Sequence, residues 1–160
     1  MIKVGDKMPE GVFQYFTDAG EKSEMTVEQL TKGKKVVLVG IPGAFTPTCQ
    51  NKHINAFIDR EADIKAKGVD TIACMAVNDA FVMNEFSKAT GATGKVLMLA
   101  DGAATYAKKM GTEVDLSDFG MGVRTRRFVM VIEDGEVKGM NIETGGELTC
   151  TTKDDAMALL

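Results

Sequence analysis

The chain has no tryptophan, one histidine and three cysteines in 160 residues. Each scarcity closes off a class of protein. Cys49, Cys74 and Cys150 are too few, and odd in number, for a disulfide scaffold, and no C-x-x-C pair of the dithiol type occurs. With His53 alone, no Cys/His cluster has zinc spacing, and no metal is expected. No apolar run approaches the ~20 residues that span a bilayer, so no membrane partner is expected. The net charge of -4 and pI of about 5.1 argue against nucleic acid as a partner. Met1-Ile2-Lys3-Val4-Gly5-Asp6 has neither signal- nor transit-peptide character, which makes a cytoplasmic location the expectation. Gly40-Ile41-Pro42-Gly43 lacks the Lys-Ser/Thr of a phosphate loop and the G-x-G-x-x-G of a dinucleotide site.

What is present is ordinary globular material, 44% hydrophobic and 26% charged. The length is that of one domain, taken as 1–160, and suffices to bury a core. The 11 methionines read as adaptable core filler. Residues 12–16 form a short strand or an edge hairpin between breaks. Residues 24–30 form a short helix, with Thr26 as N-cap and Gln29 as its partner. Lys35 to Gly40 is a β-branched run buried on both faces. A helix runs from about Pro47 to Lys67 and stops at Gly68. A second buried strand covers 69–77. A helix capped by Asn78 or Asp79 follows and closes at Gly91. A third strand covers 96–99, and Asp101 caps a helix from 103 to 110. Residues 112–122 have no firm period and read as loop plus a helical turn. Asp134-Gly135 joins strands 127–133 and 136–142 as a hairpin. A last helix, 153–160, is capped by Thr151 or Thr152. Alternating strands and helices predict an α/β fold, a central mixed sheet with helices on both faces. Doubly wound and thioredoxin-like arrangements both fit this pattern.

The stretch with chemistry in it is Pro42-Gly43-Ala44-Phe45-Thr46-Pro47-Thr48-Cys49. A strand ends, the chain turns, and a helix begins with a thiol in its first turn. Unpaired N–H groups and partial positive charge at a helix start favour the thiolate, which is the nucleophilic form. Thr46 lies three residues before the cysteine, and Pro42 and Pro47 stiffen the loop. His53 follows Cys49 by four residues and so shares a helical face with it, as a base or as a structural ring. Arg124, Arg126 and Arg127 precede a strand, where Arg124 and Arg126 take one face and Arg127 the other. One of them could face an anion. Cys74, inside an apolar strand, reads as structural. Cys150, after two glycines and before a helix, is the more accessible thiol.

The eight-residue loop resembles the peroxidatic loop of the peroxiredoxins, P-x-x-x-T-x-x-C, in the longer form of the type II, peroxiredoxin-5-like subfamily. Residues 77–83, 99–102 and 124–128 resemble it as well, so the likeness covers essentially the whole chain. The resemblance implies a thioredoxin-like fold and a thiol peroxidase acting on hydrogen peroxide and organic hydroperoxides without a cofactor. It implies Cys49 as the peroxidatic nucleophile, Pro42 as its shield, Thr46 as a hydrogen-bonding partner of the peroxide and Arg124 as the active-site arginine. The backbone across Gly43, Ala44, Phe45 and Thr48 would help to hold the substrate. Cys150 matches a resolving position, whereas other members place a second cysteine where Cys74 lies, or use none. Thioredoxin, glutaredoxin or glutathione would be the reductant. The resemblance further implies a homodimer, with Phe45 and the region of Phe119 as contacts. The alternative from another class is a redox sensor that relays oxidation to a partner protein.

Overall fold

The computed structural model describes residues 1–47 and 53–160. Nine strands appear among them: β1 Val12–Phe16, β2 Lys22–Thr26, β3 Lys35–Gly40, β4 Thr71–Ala76, β5 Leu97–Ala100, β6 Glu113–Asp115, β7 Val123–Thr125, β8 Phe128–Glu133 and β9 Glu136–Ile142. The helices are α1 Val27–Thr31, α2 Asn55–Asp59, α3 Glu61–Lys65, α4 Ala80–Thr90, α5 Thr105–Met110 and α6 Lys153–Ala158. Seven strands make one sheet in the order β2-β1-β5-β4-β3-β8-β9. Its centre, β3, β4 and β5, is parallel, and β8 pairs antiparallel with β3. The expected mixed α/β sheet is therefore present.

The central strands are buried on both faces, and alternate residues divide between two cores. Val37, Val39, Cys74, Ala76, Val129 and Val131 pack with Ile54, Phe57, Ile64, Met83, Phe86 and Ala156, so α2, α3, α4 and α6 cover one face. Val36, Leu38, Ala73, Met75, Phe128 and Met130 pack with Leu30, Tyr106 and Met110, which places α1 and α5 on the other. This is why β3 reads as an unbroken apolar run: neither face meets water. Among the described residues no helix is long and apolar enough to cross a membrane.

Several boundaries differ from the sequence expectation. Residues 22–26 are strand, because pairing with β1 uses their backbone groups, and helix α1 begins only after Thr26. The Thr26–Gln29 capping box is formed there as expected. The long helix expected to Lys67 is broken at Arg60, whose φ of -113° and ψ of 22° are not helical. A π-type turn occupies residues 53–54, a device frequent at functional sites. Residues 112–122 hold more order than expected: β6 pairs with β7 in a separate two-stranded ribbon, and Ser117–Phe119 forms a 3₁₀ turn between them. The Asp134-Gly135 hairpin is as expected, with both residues at positive φ (48° and 78°) as a type I′ turn requires.

Gly40, the last residue of β3, sets where the following loop leaves the sheet. A Cβ there would lie 2.1 Å from Cε2 of Phe128, whose ring is fully buried. Gly40→Ala should destabilise the fold by about 1–3 kcal/mol, the cost of overpacking. Urea unfolding monitored by circular dichroism measures it, and an unchanged midpoint would mean that the ring has somewhere else to go.

Candidate active site

The loop after β3 is held from two sides. Asn78, just beyond β4, accepts the Ala44 N–H on its Oδ1 at 2.9 Å. Arg124, in β7, donates from NH1 to the Pro42 carbonyl at 3.1 Å, and its Nε donates to the Met121 carbonyl at 2.8 Å. Gly43 is buried under that guanidinium, with room for no side chain: a Cβ would meet the NH1 at 2.6 Å. Phe45 takes φ +65°, a left-handed conformation costly for a bulky residue, and turns its ring edge-on to Phe86 at 5.2 Å while leaving it 46% exposed. Thr46 donates its hydroxyl hydrogen to the Gly43 carbonyl at 2.9 Å. Its oxygen lone pairs remain to accept a hydrogen from a bound molecule.

Of the residues expected at the site, Pro42, Gly43, Ala44, Phe45, Thr46 and Arg124 are thus brought into one neighbourhood. Thr48 and Cys49 lie outside the described residues. The expectation that the Ala44 N–H would hold substrate meets a competing bond, since Asn78 already occupies that donor. Arg126 donates to the Thr144 carbonyl at an exposed turn.

Sequence reasoning did not single out Arg127, which is 2% exposed. Its NH1 lies 3.1 Å from Nδ1 of His53, and His53 Nε2 lies 2.7 Å from the Thr151 carbonyl. A carbonyl can only accept and a guanidinium only donate. The ring is therefore the neutral tautomer, with its hydrogen on Nε2 and a lone pair on Nδ1. Burial first, and then the Arg127 charge, push its pKa down to about 4. With both nitrogens engaged, His53 is a structural ring rather than a base. Strand alternation was the available signal for Arg127, because it separates this residue from Arg124 and Arg126. Glu143, just past β9, is 1% exposed and gathers donors from residues 149–151. Nothing in the sequence marked it. Cys74 is fully buried in β4, and Cys150 is partly exposed in the segment before α6.

A model of the Redoxin family matches residues 3–160. Peroxiredoxin-2E-2, chloroplastic, of Oryza sativa subsp. japonica is 45% identical over 163 residues, covering 99% of this chain and 72% of that protein. Peroxiredoxin-2B of Arabidopsis thaliana is 43% identical over 159 residues, covering 99% of this chain and 98% of that protein. Among solved structures, reduced Prx3 of Vibrio vulnificus in complex with hydrogen peroxide superposes with a TM-score of 0.93 at 39% identity, covering all of both chains.

The low His53 pKa has a sign that can be measured. The unfolded chain protonates His53 near 6.5, the folded one only near 4, so the unfolded state binds more protons between these values and stability falls as pH is lowered through them. The loss should reach about 2 kcal/mol by about pH 5. Urea midpoints of the native chain and of His53→Gln, taken from neutral pH downward, should diverge in slope, with the variant flat. Parallel slopes would place the proton elsewhere.

Proposed function

The chain belongs to the peroxiredoxins, and from that membership we propose that Cys49 is the nucleophile with which this thiol-dependent peroxidase reduces its substrate. The observation that carries the assignment is the clamped loop. Arg124 on the Pro42 carbonyl and Asn78 on the Ala44 N–H fix the backbone that leads into Thr46, three residues before Cys49.

The Cys49 thiolate attacks one oxygen of hydrogen peroxide or of an organic hydroperoxide, and the O–O bond breaks. The distal oxygen leaves as hydroxide or alkoxide, and Cys49 becomes a sulfenic acid. Negative charge moves from sulfur to the leaving oxygen. Thr46, with its own hydrogen committed to Gly43, orients the peroxide by accepting its O–H. Arg124 supplies positive charge and N–H groups beside Pro42. Arg127 adds a buried positive charge at His53, one turn beyond Cys49 in sequence, and so favours the thiolate over the thiol. Pro42, Gly43, Phe45 and Thr48 belong to the substrate wall in this reading, and the Ala44 N–H serves the loop instead.

Cys150 is the resolving thiol. It attacks the Cys49 sulfenic sulfur, a disulfide forms, and hydroxide departs with the Cys150 proton as water. Cys74 is a poor resolver, since it lies in a strand hydrogen-bonded on both sides, opposite Val39 and Met98. A thioredoxin, glutaredoxin or glutathione then returns two electrons to the disulfide. A reducing compartment such as the cytoplasm suits that cycle. Association as a homodimer through the exposed rings of Phe45 and Phe119 belongs to the same reading.

Intact mass after one equivalent of hydrogen peroxide, with peptide mapping, tests the cycle. Loss of two hydrogens with Cys49 joined to Cys150 is expected, and a single added oxygen on Cys49 would remove Cys150 from it. Thr46→Val should lower the rate constant for Cys49 oxidation on the order of 10²-fold, the usual loss for one well-placed polar partner of a transition state. Stopped-flow competition against a second peroxidase reads it, and a rate within twofold of the native chain would take Thr46 off the peroxide.

A further inference from the structure

The cycle gives Cys150 a task but leaves Glu143 without one. Glu143 follows β9 directly, and its N–H donates to the Arg127 carbonyl at 2.9 Å. Its carboxylate accepts four hydrogen bonds, all from three consecutive residues. Thr149 contributes its N–H at 2.9 Å and its hydroxyl at 2.6 Å, Cys150 its N–H at 2.9 Å, and Thr151 its hydroxyl at 2.6 Å. Burial opposes the charge, but the donors outweigh it and hold the Glu143 pKa at about 2. The carboxylate is thus an anion at every physiological pH. The Cys150 thiol, meanwhile, points at the Ile142 carbonyl, 3.6 Å away.

Resting on the reading of Cys150 as the resolving thiol, we propose that Glu143 is a positioning residue, a latch that keeps Cys150 seated on the Ile142 carbonyl as an unreactive thiol until the 149–151 segment is released to resolve Cys49. Three features carry this. The attacking species must be a thiolate, yet in the latched arrangement the sulfur donates to a carbonyl and sits beside a fixed negative charge. Burial first and the Glu143 charge next both push the thiol upward, the Thr149 hydroxyl opposes them, and Asp155 of α6 adds to them. Glu143 in turn packs beside Arg127, whose carbonyl accepts its N–H, and its charge reaches the neutral His53 ring. Resolution therefore requires the segment to leave the carboxylate and, with it, the Thr151 carbonyl to leave His53.

The test uses the full chain with Cys49→Ser, so that peroxide chemistry plays no part. Alkylation of Cys150 by iodoacetamide, followed by peptide mass across a pH series, should show Glu143→Gln moving the profile toward lower pH and raising the rate at neutral pH about tenfold. Glu143→Asp should restore most of the native profile. Should Glu143→Gln fail to fold, Thr151→Val, which removes one donor and keeps the charge, should give a smaller rise of the same sign. An unchanged or slower rate in the folded variant overturns the latch. The failure of the underlying reading has its own signature. With Cys49 present, Cys150→Ser that leaves peroxide turnover intact removes Cys150 from the cycle, and with it the latch's purpose. With Cys150 in the cycle, Glu143→Gln should form the Cys49–Cys150 disulfide faster after a peroxide pulse, and slower formation would mean that Glu143 presents the thiol rather than withholding it.

Discussion

Much of this structure depends on one small fact, the neutrality of a buried imidazole. His53 has no exposure, yet both its nitrogens are satisfied, one by a carbonyl from the C-terminal segment and one by a guanidinium from just before β8. A protonated ring would place two cations in contact in a dry interior, which burial and the Arg127 charge both oppose. A neutral ring with its hydrogen on Nε2 turns the same three groups into a bonded chain. Through that ring the helix after Cys49, the arginine strand and the 149–151 segment share one set of hydrogen bonds. Residues separated by 74 and 98 positions in sequence thereby hold each other in place.

The sheet explains why these parts meet where they do. Loops that leave the carboxyl ends of parallel strands gather at one edge of an α/β sheet, and such edges are where ligands bind. The loop 41–47 leaves β3 there, and Asn78 leaves the neighbouring β4. β8 runs antiparallel to β3, so its first residue, Phe128, lies opposite Gly40. This register delivers Arg124 and Arg127 to the same edge from the opposite chain direction. Gly40 and Gly43 are two places at this edge where the approach is too close for a side chain. Both flank the strand-to-loop junction, and each makes room for the β7–β8 segment, Phe128 at one and Arg124 at the other.

What could be read from sequence follows the range of the interaction. β3 was legible to the residue, because a β-branched run buried on two faces has no other comfortable state. The hairpin at Asp134-Gly135 was legible because the turn demands positive φ at both central residues. The helix expected over 24–30 failed where a local propensity met a distant partner: Glu24 and Met25 pair with Gln14 and Phe13, and no short window contains that pairing. The β6–β7 ribbon escaped for the same reason, as three alternating residues on each side carry little signal alone. At the site, the loop residues were legible because chemistry dictates their types. Among the arginines, alternation already set Arg127 apart from Arg124 and Arg126, but which face would be the inner one depends on a register that only the sheet supplies. Glu143 had no signal, because a carboxylate that binds threonine hydroxyls and amides looks like any surface glutamate until the loop folds over it.

The two cysteines in the described residues show why residue type alone does not assign chemistry. Cys74 occupies a position between Val39 and Met98 in the middle of the parallel sheet, and to move its sulfur is to break ladders on both sides. Its thiol serves as a small apolar group. Cys150 belongs to a segment tied by side-chain bonds to one carboxylate, and no strand would be lost if that tie opened. Charge-assisted hydrogen bonds of this kind are individually strong and converge on one residue, while the Thr151 carbonyl adds a separate tie to His53. In the proposed cycle, such an attachment would keep the thiol protected in the resting enzyme while leaving it free of the sheet that holds Cys74.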